Sequence, residues 1–168
     1  ALQYHDGKFY LLFTTLDEGG YLLTTTDIEG EWEKKKLNDG FYDCGLLFDN
    51  DKIYVVYGIN QLRIAELDED FNKIPGSDKD VVKWSFREGL EGSRLYKIGE
   101  YYYIYSTYGG WPAFQTVFRS KDIYGPYEEK KLIDDDNIHQ GALVETQTGE
   151  WWTMLFYDKG AYGRFPNL

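Results

Sequence analysis

Three titratable residues recur at a fixed interval. Asp43, Glu91 and His139 each stand 48 residues after the one before. Each immediately precedes a short, mostly apolar run, at 44–48, 92–96 and 140–144. One Asp, one Glu and one His gathered in a common funnel can transfer protons or hold a cation. Two neighbouring carboxylates oppose each other's ionisation, so one can stay protonated near neutral pH, and aromatic enclosure acts in the same direction. Glu91 is the only carboxylate within 89–97, a segment whose other members are mostly apolar or small. Such a residue is either a cap on strand-entry amides or a tuned acid. Three titratable groups in one register favour the second reading over three independent caps.

The elements that must gather these residues are read from a repeat. Apolar alternation broken by Gly, Asn and Asp runs through the chain, and helical periodicity is scarce. Hairpin turns fall at Asp6-Gly7, Asn50-Asp51, Gly99-Glu100 and Gly149-Glu150, each flanked by strand-forming aromatic and branched residues. A second feature, 26–34, is matched by 120–129, with 66–73 in the corresponding place between them. Each unit therefore reads strand, hairpin, strand, loop, strand, polar turn, strand. Four antiparallel strands per unit make a β-propeller blade. A sandwich does not normally repeat its sequence. The all-β chain is expected to hold about 3.5 four-stranded blades at this period, over 1–37, 38–82, 83–132 and an incomplete 133–168. The apolar runs after Asp43, Glu91 and His139 are the expected innermost strands. Blade rotation would then bring the three residues to one mouth of the axial channel. An incomplete propeller exposes strand edges, which invites the rest of the propeller or self-association.

Composition narrows the partners. The chain carries 16 Tyr, 10 Phe and 5 Trp, side chains suited both to sheets and to stacking on sugars. Its net charge of −11 argues against nucleic acid and anionic membrane as partners. The basic runs at 34–36 and 130–131 are expected on solvated strands. A single cysteine, Cys44, excludes an intrachain disulfide and is expected as a small buried residue. There is no phosphate-cradling glycine loop, zinc-type histidine pair or nucleophile elbow, which leaves carboxylate chemistry. Trp84 and Trp111 are candidates for stacking on a sugar ring, with core or loop packing the plainer alternative. One of Trp151 and Trp152 is expected to point between sheets. Arg164 is a lone cation in an aromatic, glycine-rich segment, placed either for a substrate hydroxyl or for the surface. His5 is expected to be exposed.

The segments Tyr42-Asp43 with 47–54, Glu91 to Lys97, 120–127 and His139-Gln140-Gly141 running to Gly163-Arg164 together resemble glycoside hydrolase family 43. The resemblance covers essentially the whole chain and leans toward the β-xylosidase and α-L-arabinofuranosidase branches. It implies a five-bladed β-propeller acting on xylan- or arabinan-type oligosaccharides by an inverting, exo-acting mechanism. It implies Glu91 as the general acid and Asp43 as the carboxylate that adjusts and orients it. It also implies His139 facing an axial metal, usually calcium, and Arg164 contacting the innermost sugar. In that family the general base is an aspartate of the first blade, commonly in an Asp-Pro pair. This sequence has no Asp-Pro, and the position one blade before Asp43 falls ahead of Ala1. The base is therefore expected outside these 168 residues, and the chain is expected to lack the first blade and to be inactive alone. A non-catalytic carbohydrate-binding propeller is the alternative.

Overall fold

The alternating segments become strands, and each glycine- or Asn/Asp-marked turn becomes a hairpin. The computed structural model describes residues 1–83, 88–110, 112–133 and 137–167. The first sheet runs β1 (Leu2–His5), β2 (Lys8–Thr15), β3 (Gly19–Thr25), β4 (Glu33–Lys36). The second runs β5 (Gly45–Asp49), β6 (Lys52–Tyr57), β7 (Gln61–Leu67), β8 (Lys79–Lys83). The third runs β9 (Leu90–Ile98), β10 (Tyr101–Tyr108), β11 (Phe114–Ser120), β12 (Glu128–Lys131). The fourth has three strands, β13 (Ile138–Glu145), β14 (Trp151–Asp158) and β15 (Arg164–Asn167), with a single 3-10 turn at Gly160–Tyr162. Every pairing is antiparallel between neighbours in sequence. The result is four blades in a β-propeller arrangement.

The blades stack because the central sheet is apolar on both faces. On β6, Val55 turns toward the first blade, joining Leu12, Leu22 and Leu46. Its neighbours Tyr54 and Val56 turn the other way, joining Leu95, Ile104 and Phe118 of the third blade. This is the two-residue period of a strand buried on both sides. Leu12, Leu46, Leu62, Leu95 and Ile104 are fully buried, and each such side chain contributes roughly 1.5–3 kcal/mol by leaving water. Hydrogen bonds cross between blades as well. Tyr102 Oη donates to Asp49 Oδ2 at 2.6 Å, and Leu143 N donates to Tyr96 Oη at 2.8 Å.

The first strands of the sheets meet one another, β1 with β5, β5 with β9 and β9 with β13, so they surround the axis. The fourth strands lie at the rim. All four residues of β4 and of β12 are exposed, which places the basic runs 34–36 and 130–131 in solvent. Charged rim strands oppose edge-to-edge pairing. At the axis the packing is closest where β5 passes β9. A Cβ on Gly45 would stand 2.7 Å from Arg94 Cα and 2.8 Å from Ser93 O. Cys44 beside it is buried, and burial pushes its thiol up. His5 is half-buried rather than exposed, stacked on Phe48 with ring centres 4.2 Å apart, because the hairpin of the first blade leans on the second.

Candidate active site

In the second, third and fourth blades the axial strand enters its sheet through a one-residue irregularity. In the third blade Glu91 pairs with Thr107 and Arg94 with Tyr105, so Gly92 and Ser93 face Ser106 alone. In the fourth, His139 pairs with Phe156 and Ala142 with Met154, so Gln140 and Gly141 face Leu155 alone. In the second, Tyr42 O accepts from Gly58 N at 3.0 Å and Gly45 pairs with Val56, leaving Asp43 and Cys44 opposite Tyr57. These are β-bulges, which re-aim side chains at strand ends. The first residue of each bulge has a left-handed backbone: Asp43 at φ 49°, Gly92 at 67° and Gln140 at 51°.

This geometry corrects the phase implied by the 48-residue count. Glu91 and His139 are structurally equivalent, but their counterpart in the second blade is Tyr42. Asp43 is equivalent to Gly92 and Gln140. Asp43 still reaches the same mouth, because the bulge turns its side chain inward and Gly92 presents no side chain there. A Cβ built on Gly92 would lie 3.7 Å from Asp43 Oδ2 and 3.7 Å from Gln140 Cγ. The second, third and fourth blades therefore meet around Gly92.

Glu91 is half-buried at this mouth. Its Oε2 accepts a hydrogen bond from Tyr42 Oη at 3.1 Å. Its Oε1 lies over Gly109, where a Cβ would come within 2.7 Å. Tyr42 was not singled out from sequence as a site residue, since one more tyrosine among 16 carries no chemical signal until the bulge register is known. The Glu91 charge, then burial and the hydrogen bond to Glu91, then Asp43, hold the Tyr42 phenol protonated above its ordinary range. Tyr42 and Asp43 line one side of a cleft of about 410 Å³ with Thr14, Phe41 and Arg94.

His139 sits deeper, 4% exposed, with its ring edge-on to Phe156 at 4.6 Å. Burial lowers its pKa, Arg164 lowers it further and Asp158 opposes them. Its Nδ1 is buried with no hydrogen-bond partner. That orphan nitrogen could take a ligand on the axis. Calcium takes six to eight oxygens, and the described residues contain no cluster of three or more His, Cys, Asp or Glu able to hold a metal. One imidazole nitrogen does not make a calcium site. Arg164 begins β15, with its guanidinium 4.6 Å above the Phe156 ring and its Nε 3.7 Å from Asp158 Oδ2. It shares a cleft of about 440 Å³ with Gln140, Phe156 and Arg94. Arg94 was also missed. It borders both clefts and donates from Nη1 to Cys44 O and Ser93 O at 3.2 and 2.9 Å. Trp84 and Trp111 lie outside the described residues. Trp151 meets Tyr96 at 6.1 Å between the third and fourth blades, while Trp152 faces away.

The family model for glycosyl hydrolases family 43 matches residues 1–167. The chain belongs to glycosyl hydrolase family 43. A β-xylosidase of Bacillus subtilis is 31% identical over 185 residues, covering 90% of this chain and 35% of that protein. A non-reducing end α-L-arabinofuranosidase of Bacteroides ovatus is 27% identical, covering all of this chain and 36% of the other. A solved structure described as a bifunctional GH43-CE protein of Bacteroides eggerthii superposes with a TM-score of 0.87 at 34% identity, over 99% of this chain and 23% of that one. The chain thus spans about a third of the length of the curated family 43 relatives it matches.

Proposed function

We propose that this chain carries the acid half of an inverting, exo-acting glycosidase site that removes xylose or arabinose from xylan- or arabinan-type oligosaccharides. The observation that carries the reading is the approach of Asp43 and the Gln140 segment to Gly92, with Glu91 beside it in the chain and bonded to Tyr42, the neighbour of Asp43. Glu91 is the general acid, protonating the leaving oxygen as the glycosidic bond breaks. Asp43 is the neighbouring carboxylate that orients and tunes it. Arg164, at the rim of the adjoining cleft, binds sugar hydroxyls, and Trp84 and Trp111 offer stacking faces. The reading is supported by family membership and by relatives named as xylosidases and arabinofuranosidases.

An inverting reaction also needs a carboxylate that activates water, roughly 6.5–9.5 Å from the acid. The hairpin register makes Ala1 of the first blade equivalent to Gly45. The counterpart of Asp43 in that blade falls ahead of Ala1, and we place the base on the remaining blade of a five-bladed whole. The calcium that the resemblance implies near His139 would need oxygen ligands beyond those of the described residues.

The test is hydrolysis of xylo- and arabino-oligosaccharides by the full-length protein and by its Glu91→Gln variant, with the product anomer followed by NMR. Turnover with inversion that falls about 10²–10⁴-fold in the variant is expected for a lost general acid. Full activity in Glu91→Gln refutes the assignment. Xylo-oligosaccharide binding without turnover by the full-length protein would make this a carbohydrate-binding propeller instead.

A further inference from the structure

We infer that Tyr42 and the bare Cα of Gly109 act together as a positioning clamp that selects Oε1 of Glu91 as the proton-donating oxygen. The inference rests on the reading of Glu91 as the general acid. A carboxylic acid has two oxygens and one transferable proton, and its efficiency depends on which oxygen faces the leaving group. Here the two oxygens are in different surroundings. Oε2 accepts from the Tyr42 hydroxyl at 3.1 Å. An oxygen that accepts a hydrogen bond there holds its lone pair toward the phenol, which leaves the acid proton to Oε1. The phenol stays a donor: the Glu91 charge opposes its ionisation when Glu91 is ionised, and burial and the Asp43 charge oppose it when Glu91 holds its proton.

Oε1 in turn lies where a side chain at Gly109 would be. A Cβ on Gly109 would sit 2.7 Å from Oε1 and 3.7 Å from the carboxyl carbon. Gly109 has no left-handed backbone that demands glycine, so the space over its Cα, rather than its φ, distinguishes it from alanine. The strand register explains the clamp. Tyr42 is the second-blade counterpart of Glu91, so propeller rotation brings the two side chains toward each other at the axis. Glu91 pairs with Thr107, two residues before Gly109, so the hairpin partner strand passes directly beneath the carboxyl.

The step is then explicit. The Oε1 proton passes to the glycosidic oxygen, the bond to the anomeric carbon breaks, and its electron pair stays on the leaving oxygen. Water adds to the anomeric carbon and gives its proton to the base carboxylate. Glu91 is left ionised, with Oε2 still accepting from Tyr42.

Leaving-group dependence tests this, because proton donation matters for a sugar leaving group and hardly at all for 2,4-dinitrophenolate. In the full-length protein, Glu91→Gln should lose roughly 10²–10⁴-fold in kcat on xylo- or arabino-oligosaccharides and little on the dinitrophenyl glycoside. Tyr42→Phe keeps the ring and removes the hydroxyl. It should lose up to roughly tenfold in kcat on the oligosaccharide, the upper scale of one neutral hydrogen bond, with KM unchanged and dinitrophenyl turnover retained. Gly109→Ala should show the same pattern, since its methyl meets the movable end of Glu91, and thermal melting should show it folded. Equal losses on both leaving groups in Tyr42→Phe or Gly109→Ala, or no loss in either while Glu91→Gln shows the pattern, overturn the clamp alone. Equal losses in Glu91→Gln overturn the acid assignment beneath it.

Discussion

Replacing Gly45 by alanine should separate the blades that form the site. Gly45 is buried at the closest approach of β5 to β9 and has an ordinary backbone, so φ strain plays no part. The added Cβ would stand 2.7 Å from Arg94 Cα, 2.8 Å from Leu95 N and 2.8 Å from Ser93 O. Comfortable separation for carbon contacts is about 3.5–4.0 Å, so β5 and β9 must part by on the order of 1 Å. The obstructing atoms are all main chain, and neither strand can yield by a rotamer change. Leu46 and Leu95, the next residues on each strand, are fully buried and resist the shift. Overpacking of this kind costs about 1–3 kcal/mol, and main-chain obstruction puts Gly45→Ala at the upper end. The lower entropy of an unfolded alanine chain offsets about 0.4–1 kcal/mol. A net loss of about 2 kcal/mol lowers Tm by about 4–8 °C for a domain of this size. Gly30→Ala is the control, because its Cβ meets only the Asp27 side chain at 3.2–3.3 Å in an exposed loop. Thermal unfolding followed by tryptophan fluorescence reads both variants. A Gly45→Ala protein that melts with the wild type, or no more than a degree below Gly30→Ala, would refute the close blade contact.

Three further outcomes are expected. Gly92→Ala combines a left-handed backbone, costing about 1–2 kcal/mol, with a methyl 3.2 Å from Thr107 Cγ2 and touching Asp43 Oδ2 and Gln140 Cγ at 3.7 Å; both thermal stability and kcat in the full-length protein should fall, and a variant as active as the wild type would remove Gly92 from the meeting point. Tyr105→Phe deletes the 2.7 Å hydroxyl contact with Thr153 that joins the third and fourth blades; denaturant unfolding should show a loss of about 1 kcal/mol, and no loss would mean that the bond is replaced by water. His139 has a lowered folded-state pKa, so the unfolded chain binds its proton more readily, and the resulting penalty grows as pH falls below the ordinary histidine value of about 6.5. The stability difference between wild type and His139→Gln should therefore increase as pH rises through that window and level off above it; a difference that does not change with pH would refute a buried, neutral imidazole.

Much of the blade architecture is legible in the chain because strands and hairpins are local. The turns at Asp6-Gly7, Asn50-Asp51 and Gly99-Glu100 sit where sequence places them. The apolar runs after Asp43, Glu91 and His139 do become the axial strands. The candidate site was legible only in part. The spacing of Asp43, Glu91 and His139 pointed to one mouth, but it aligned Asp43 with the wrong partners, because a bulge adds a residue without leaving a mark in composition. Tyr42, Arg94 and Gly109 carry no chemical signature of their own, and they acquire one only by what they touch.

From sequence alone, then, came the repeat, the all-β class and the family likeness, all of which rest on residue type and separation along the chain. The tertiary structure alone decided which side chain of each bulge turns to the axis, and that Glu91 lies between a phenol and a bare glycine. The physical reason is that pairing register and blade rotation act between residues a whole blade apart in sequence, as in the Tyr42 bond to Glu91 across 49 positions.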